Sequence, residues 1–291
     1  MENTHCIICS RKDALPFITL NDRLNKSSQK FHLLQCTCGF IYLNPRPSSE
    51  NIKHYYQSEN YDPFIESTNP IWKTLYRYVQ KISLSWKYKI IRRYIQGGRL
   101  LDIGGGKGDF ADFMHEKEDW NVTLQDSMFD FEERENSISF IRQLSELNLP
   151  TKFDVITLWH SLEHIHNIKD LFDSLHNLQD DTGILMITVP NLNAPERNFY
   201  KDNWAPYDAP RHLYHFNFNR LNELCRNNGY EIIQKYSLFQ DMPYNVLLSM
   251  PSCSPLQVIK AALVILYSFL YTLCAGPEFS SSLLIVCRKS S

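Results

Sequence analysis

The residues whose types and spacing could do chemistry fall into three groups: clustered thiols, a run of glycines, and two imidazole-rich segments. Cys6, Cys9, Cys36 and Cys38 follow the pattern C-x2-C-x26-C-x-C. Two cysteine pairs separated by a short β segment suit four thiolates around one tetrahedral zinc, a closed site that leaves no position for substrate. The second pair is one residue shorter than usual, which leaves His5 or His32 open as an alternative fourth ligand. The glycine run reads LLDIGGGKGDF from 100 to 110. It is not a P-loop, because position 101 is Leu and Lys107 is followed by Gly108 rather than Ser or Thr. It is not a dinucleotide turn either, because position 109 is Asp. What remains is Asp102-x-Gly104-x-Gly106-x-Gly108, and a carboxylate at a strand end suits a cationic amino acid better than a pyrophosphate. The imidazoles lie in WHSLEHIH (159–166) and PRHLYHF (210–216). A neutral imidazole in either place could take a proton from a hydroxyl. A metal reading of His160, His164 and His166 is weaker, for lack of paired carboxylates at ligand spacing.

Elements must position these groups. Apolar runs predict strands at 99–104, 121–125, 137–141, 153–159, 183–190, 230–238 and 282–289, with strand-like pieces FHLLQC and GFIYL near the start. Helical periodicity predicts helices over 71–96, 108–118, 168–178 and 218–229. In the first of these, apolar residues recur at Trp72, Leu75, Tyr76, Val79, Ile82, Trp86, Ile90 and Ile91, and Gly97-Gly98 marks its end. Between Pro70 and Arg99 there is no acid but eight bases, which predicts either a solvated basic face or a contact with anionic lipid. Strands alternating with helices imply a mostly parallel sheet covered on both faces.

LDIGGGKGDF, the acid closing the next strand (LQD, Asp126) and FDVITLWHSLEHIHN on the fourth strand together resemble the class I S-adenosylmethionine-dependent methyltransferases. The likeness runs from about Arg99 to Lys289. SLEH and the W…PRHLYHF segment are similar to a subgroup with an LEH signature, as is the CxxC…CxCG module followed by NPRP. The resemblance implies an α/β, Rossmann-like seven-stranded sheet whose last strand is antiparallel, preceded by a small zinc-ribbon-like β module. It implies S-adenosylmethionine and a structural Zn2+ held by Cys6, Cys9, Cys36 and Cys38 as cofactors. By position, Asp102, Gly104, Gly106 and Gly108 would hold the methionine part, Asp126 the ribose hydroxyls, and Gln143 and Leu144 the adenine, with Trp159 beside them at the end of strand four. His160, His164 and His212 become the candidate catalytic residues. His164 and His212 are the ones to accept a proton.

Composition bounds the rest. Hydrophobic residues make up 43% and charged residues 21%, enough for a core and too ordered a pattern for wholesale disorder. A net charge of −2 argues against a globally basic nucleic-acid binder. Eight cysteines are too few for a disulfide scaffold, and Cys225, Cys253, Cys274 and Cys287 lie in apolar contexts that suit a core or interface. With no apolar run in MENTHCIICSRKD, the chain reads as cytoplasmic. Leu256–Ala275 is long enough to span a bilayer and carries one charge, Lys260. It falls between two strands expected to pair, which argues for a buried helix, an interface, or a helix lying in a membrane surface at the inner face. The expected organisation is a zinc module over 1–48, a linker and basic helix over 49–98, and a cofactor-binding domain over 99–291 with an apolar insertion at 240–280. The expected acceptor is a small molecule, a sugar or glycan, or a lipid-linked precursor, methylated on oxygen. Alternatives are an RNA or protein methyltransferase, disfavoured because WHSL replaces an Asn-Pro-Pro-Tyr motif, and an inactive binding protein of the same fold.

Overall fold

The computed structural model describes residues 1–25, 28–56, 70–129, 138–147 and 150–290, and side chains of the first helix from residue 77 onward. Trp72, Leu75, Tyr76 and Ser137 therefore fall outside what is described, as does most of the Tyr-rich stretch after Asn51.

Seven strands form the main sheet: β4 (Gly98–Ile103), β5 (Trp120–Gln125), β6 (Ser139–Ile141), β7 (Phe153–Trp159), β8 (Gln179–Pro190), β10 (Tyr230–Ser237) and β11 (Ser282–Lys289). Their spatial order is β10-β11-β8-β7-β4-β5-β6. The β4, β5, β6, β7 and β8 pairings are parallel, and β11 runs antiparallel to both β8 and β10. This is the Rossmann-like methyltransferase sheet that the resemblance implies, with its last strand antiparallel. The strands are legible as apolar runs because both faces are covered. Leu100, Val155 and Leu284 pack on one face while Leu101, Ile156 and Ile285 pack on the other, as period-two alternation requires. Helices α1 (Pro70–Ile91) and α2 (Asp109–His115) cover the first face; α3 (Ile168–Leu178) and α5 (Phe218–Asn227) cover the second. The first helix ends at Ile91 rather than at Gln96, and its chain leaves through tight turns closed by the Arg93 and Tyr94 amides. Gly97-Gly98 serves the strand instead: a side chain on Gly98 would collide with the Asp154 carboxylate.

A second, antiparallel sheet is formed by β1 (Ala14–Asn21), β2 (Lys30–Cys36), β3 (Ile41–Leu43) and β9 (Tyr214–His215), in that order. Its last strand comes from the PRHLYHF segment, almost two hundred positions beyond the first. Arg46 donates to Tyr214 Oη at 2.7 Å, and the fully buried Arg211 pairs with Asp22 and Asp208, each at 2.8 Å. The cysteine module and the main sheet thus share one continuous core. Short helix α4 (Glu196–Tyr200) and the pair α6 (Asp241–Leu248) and α7 (Pro255–Ala275) complete the chain. Because β10 and β11 pair on either side of the α6–α7 insertion, α7 does not cross a membrane as a simple span.

Candidate active site

The glycine turn leaves β4 and opens α2. Gly104, Gly106 and Gly108 all have positive φ, at 67°, 57° and 81°, a conformation that L side chains resist. A side chain on Gly104 would strike Ser161, and one on Gly105 would strike Asp102. Gly106 is uncrowded: an added carbon would meet only the Phe129 ring, in ordinary contact at 3.8 Å. Asp102 is buried beneath the turn: Thr157 donates to its Oδ1 at 2.6 Å, and its Oδ2 has no partner among the described residues. Burial pushes its carboxyl up to about 6, against the pull of Thr157. Asp126 accepts from the Gly106 amide at 2.9 Å and from the Met128 and Phe129 amides at 2.8 and 3.2 Å. Much of its acceptor capacity is therefore spent on shaping the turn; among the described residues, about one of a carboxylate's roughly four lone-pair sites is left. Gln143 and Leu144 start a tight turn after β6, closed by Glu146 accepting from the Gln143 amide at 2.7 Å.

A cavity of ≈ 220 Å³ lies beyond the carboxyl ends of β7 and β8, where open α/β sheets place ligands. His160, Glu163, His212, Asp241 and Arg23 line it. Glu163 is fully buried and neither carboxylate oxygen has a hydrogen-bond partner among the described residues; His160 Nδ1 is 3.7 Å away. Burial would raise the Glu163 carboxyl, but His160 and the neighbouring imidazoles hold it down at about 2. His160 Nε2 meets Asp241 Oδ2 at 2.8 Å. Burial would lower the His160 ring, but its two carboxylate partners raise it to about 9, so it is an imidazolium at neutral pH. His164 goes the other way: burial and the nearby His212 lower it to about 4. Its Nδ1 lies 2.8 Å from Tyr56 Oη and 3.0 Å from the Arg211 carbonyl. His212 Nδ1 donates to the Pro206 carbonyl at 2.8 Å, which fixes the tautomer and leaves Nε2 with its lone pair. His166 is spent on the Pro47 carbonyl at 3.0 Å.

Two groups among the described residues have metal-ligand spacing. One is Glu163, His164 and His212. The other is the four early cysteines, with Cys6 Sγ 3.5 Å from Cys38 Sγ and Cys9 Sγ 3.4 Å from Cys36 Sγ. Disulfides need about 2.05 Å, whereas Zn–S bonds of about 2.3 Å put tetrahedral sulfurs about 3.8 Å apart. All four thiols are free and fit zinc. The short Cys36-x-Cys38 pair still converges, because Gly39 turns the chain at a φ of 91°. His5 is exposed and His32 is held by Thr19 at 3.0 Å, so the thiols need neither.

Residues 54–235 match the family model described as a methyltransferase domain. The chain belongs to this family of class I, S-adenosylmethionine-dependent methyltransferases. No curated protein matches it. Similar solved structures include the Burkholderia thailandensis 1,6-didemethyltoxoflavin-N1-methyltransferase with 1,6-didemethyltoxoflavin and S-adenosylhomocysteine bound, at 16% identity over 96% of this chain and 100% of that one, with a TM-score of 0.49. Haemonchus contortus phosphoethanolamine N-methyltransferase 2 in complex with S-adenosyl-L-methionine is 16% identical over 71% of this chain, with a TM-score of 0.47, and this chain spans 53% of its length. The Mycobacterium tuberculosis cyclopropane synthase MmaA2 is 15% identical over 66% of this chain and 78% of that one, with a TM-score of 0.42.

In this methyltransferase, the structure brings Asp102, the glycines, Asp126 and Trp159 to one end of the sheet, and gathers His160, His164 and His212 with Glu163 next to them. Three residues at the site went unremarked in the sequence. Asp241 and Arg23 carry no local signal, since they reach the cavity from α6 and from the β1–β2 connection. Lys87 did carry one. It sits three and four positions before the buried Ile90 and Ile91, on the inward face of the basic helix.

Proposed function

We propose that this methyltransferase transfers a methyl group to a hydroxyl of a sugar, glycan or lipid-linked acceptor held in the cavity beyond β7 and β8. The observation that carries this reading is the buried Glu163 carboxylate, paired with His160 but without a hydrogen bond among the described residues, beside a tautomer-fixed His212 in that cavity. When bound, S-adenosylmethionine supplies an electrophilic methyl carbon on a sulfonium, open to in-line displacement. The uncrowded face of Gly106 and the orphaned Asp102 oxygen fit its methionine part, and the remaining acceptor site of Asp126 fits a ribose hydroxyl. In this reading Gln143 and Leu144 flank the adenine.

The acceptor hydroxyl needs a proton acceptor as it attacks. His160 is already protonated and His164 binds a proton only near pH 4, so the role falls to His212 Nε2. Glu163 then stabilises the imidazolium that forms, and His160 with Asp241 holds the Glu163 side of the cavity in place. The cysteine module carries a structural zinc, and residues 1–48, 49–98 and 99–291 act as its head, its covering helix and its catalytic domain.

Helix α7 supports a membrane-surface setting. The mean hydropathy of its most apolar window is 2.0, and only 22% of that window is buried. Ala261, Val264, Ser268 and Thr272 form one inward stripe of small or polar residues, while Leu256, Ile259, Leu263, Leu266 and Leu270 are exposed around the rest. An apolar face of this size suits burial in the headgroup–acyl boundary of a bilayer while the inward stripe stays on the protein. The free thiols fit a reducing compartment, hence the cytoplasmic face.

Methyl-labelled cofactor incubated with the full chain and separated cell fractions tests the reading. Label should enter an ether in the organic-extractable or glycan fraction, and His212→Ala should slow it by about 100-fold or more. Label confined to RNA or protein would overturn it.

A further inference from the structure

We propose that Lys87 grips the carboxylate of the cofactor's amino-acid end, so that the site selects ligands that keep that end. The proposal rests on the cofactor reading above and assigns a task to a residue of the basic helix. The rotation of α1 is fixed on both sides of Lys87: Trp86 packs edge-on against Tyr236 of β10, and Tyr88 packs edge-on against Phe113 of α2. The helix is also tied down at Gln80, which donates to Asp109 at 2.9 Å, and at Ser83, which meets Gln240 at 3.3 Å. Between these fastenings Lys87 is turned inward. Its Nζ lies 4.3 Å from the centre of the Trp159 ring and 5.6 Å from that of Phe110. Trp159 closes β7 and Phe110 opens α2, so the ammonium stands where the glycine turn, the strand end and the helix start meet.

An ammonium held only by aromatic faces is under-used. Lys87 makes no hydrogen bond or ion pair with any described residue, and burial lowers its affinity for a proton despite Asp241, Asp102 and Asp109 nearby. The methionine end of the cofactor brings an ammonium, a sulfonium and one carboxylate. The carboxylates around the turn suit the two cations, but they would repel the third group. A lysine between them supplies the opposite charge, and a charge-assisted bond in a half-buried position is among the stronger polar contacts available. Arg77, Lys81 and Lys89 of α1 are exposed, and the two arginines just past its end are engaged elsewhere: Arg92 pairs with Asp119 at 2.9 Å, and Arg93 lies over Tyr236.

Calorimetric titration of the full, zinc-loaded chain with two ligands tests this. S-adenosylhomocysteine keeps the amino-acid end; methylthioadenosine keeps adenine, ribose and sulfur but lacks it. Lys87→Met and Lys87→Gln should each weaken S-adenosylhomocysteine binding by about 10–100-fold. Both should leave methylthioadenosine binding within about twofold, and Lys87→Arg should recover most of the loss. Equal weakening for both ligands would show a structural role and overturn the proposal, as would unchanged S-adenosylhomocysteine binding. A wild-type chain that binds neither ligand would overturn the cofactor reading itself, a result distinct from either of these.

Discussion

His160 and His164 stand four positions apart and titrate in opposite directions. His160 faces two carboxylates and keeps its proton up to about pH 9, against 6.5 for a free ring. His164 and His215 are buried without such partners and are held down to about 4 and about 3. Between pH 6.5 and 9 the folded chain holds a proton that the unfolded chain has released, so stability falls as pH rises through that window. Below 6.5 the unfolded chain takes protons that His164 and His215 refuse, so stability falls as pH drops. Glu163, held at about 2, adds to the acid loss below about 4.5, while Asp102, raised to about 6, offsets part of it. The melting temperature should therefore peak near pH 6.5, and His160→Asn should flatten the alkaline side. A melting temperature that climbs from pH 6.5 to 9 in the wild type would contradict this charge assignment. At this scale the glycine turn and the imidazoles were legible because their chemistry is local. The counter-charges Asp241 and Arg23 were not, since only the folded chain brings them to His160 and Asp208.

Elements differ in how openly they announce themselves. The central stretches of β7, β8 and β11 are buried on both faces and read as mostly apolar runs. β1 is half exposed and irregular in its alternation, and β9 is two residues long and exists only because β3 offers it an edge. Neither has a signal of its own length. α6 carries Pro243 in its first turn, where the missing amide has no helical partner to lose, and packs against α7. The pair of cysteine turns is the opposite case, since spacing alone pointed to a cluster of four thiols, which the structure brings together. Their stability consequence is direct: they anchor a sheet whose last strand leads out of the active-site segment. Cys36→Ser should release one equivalent of zinc and lower the melting temperature by roughly 10 °C or more. Metal content by mass spectrometry and a thermal melt check this together. Full zinc retention by the variant would exclude Cys36 from the site.

On the scale of the whole molecule, the near-zero net charge averages over strongly segregated parts. The acid-free α1 covers the end of the sheet where buried carboxylates gather, and α7 presents an apolar surface beside the same end. The N-terminal module, the PRHLYHF segment and the main sheet close into one body, with Arg23 of the module reaching the cavity lined by His212. In the proposed reading, this arrangement is organised around a cofactor seat between the glycine turn, Asp126 and Trp159. The most direct test is calorimetric titration of the folded, zinc-loaded chain with S-adenosylhomocysteine. The account predicts saturable binding at one site per chain, weakened at least tenfold, about 1.4 kcal/mol, by Asp126→Ala. A folded, zinc-loaded chain that takes up no S-adenosylhomocysteine would contradict it.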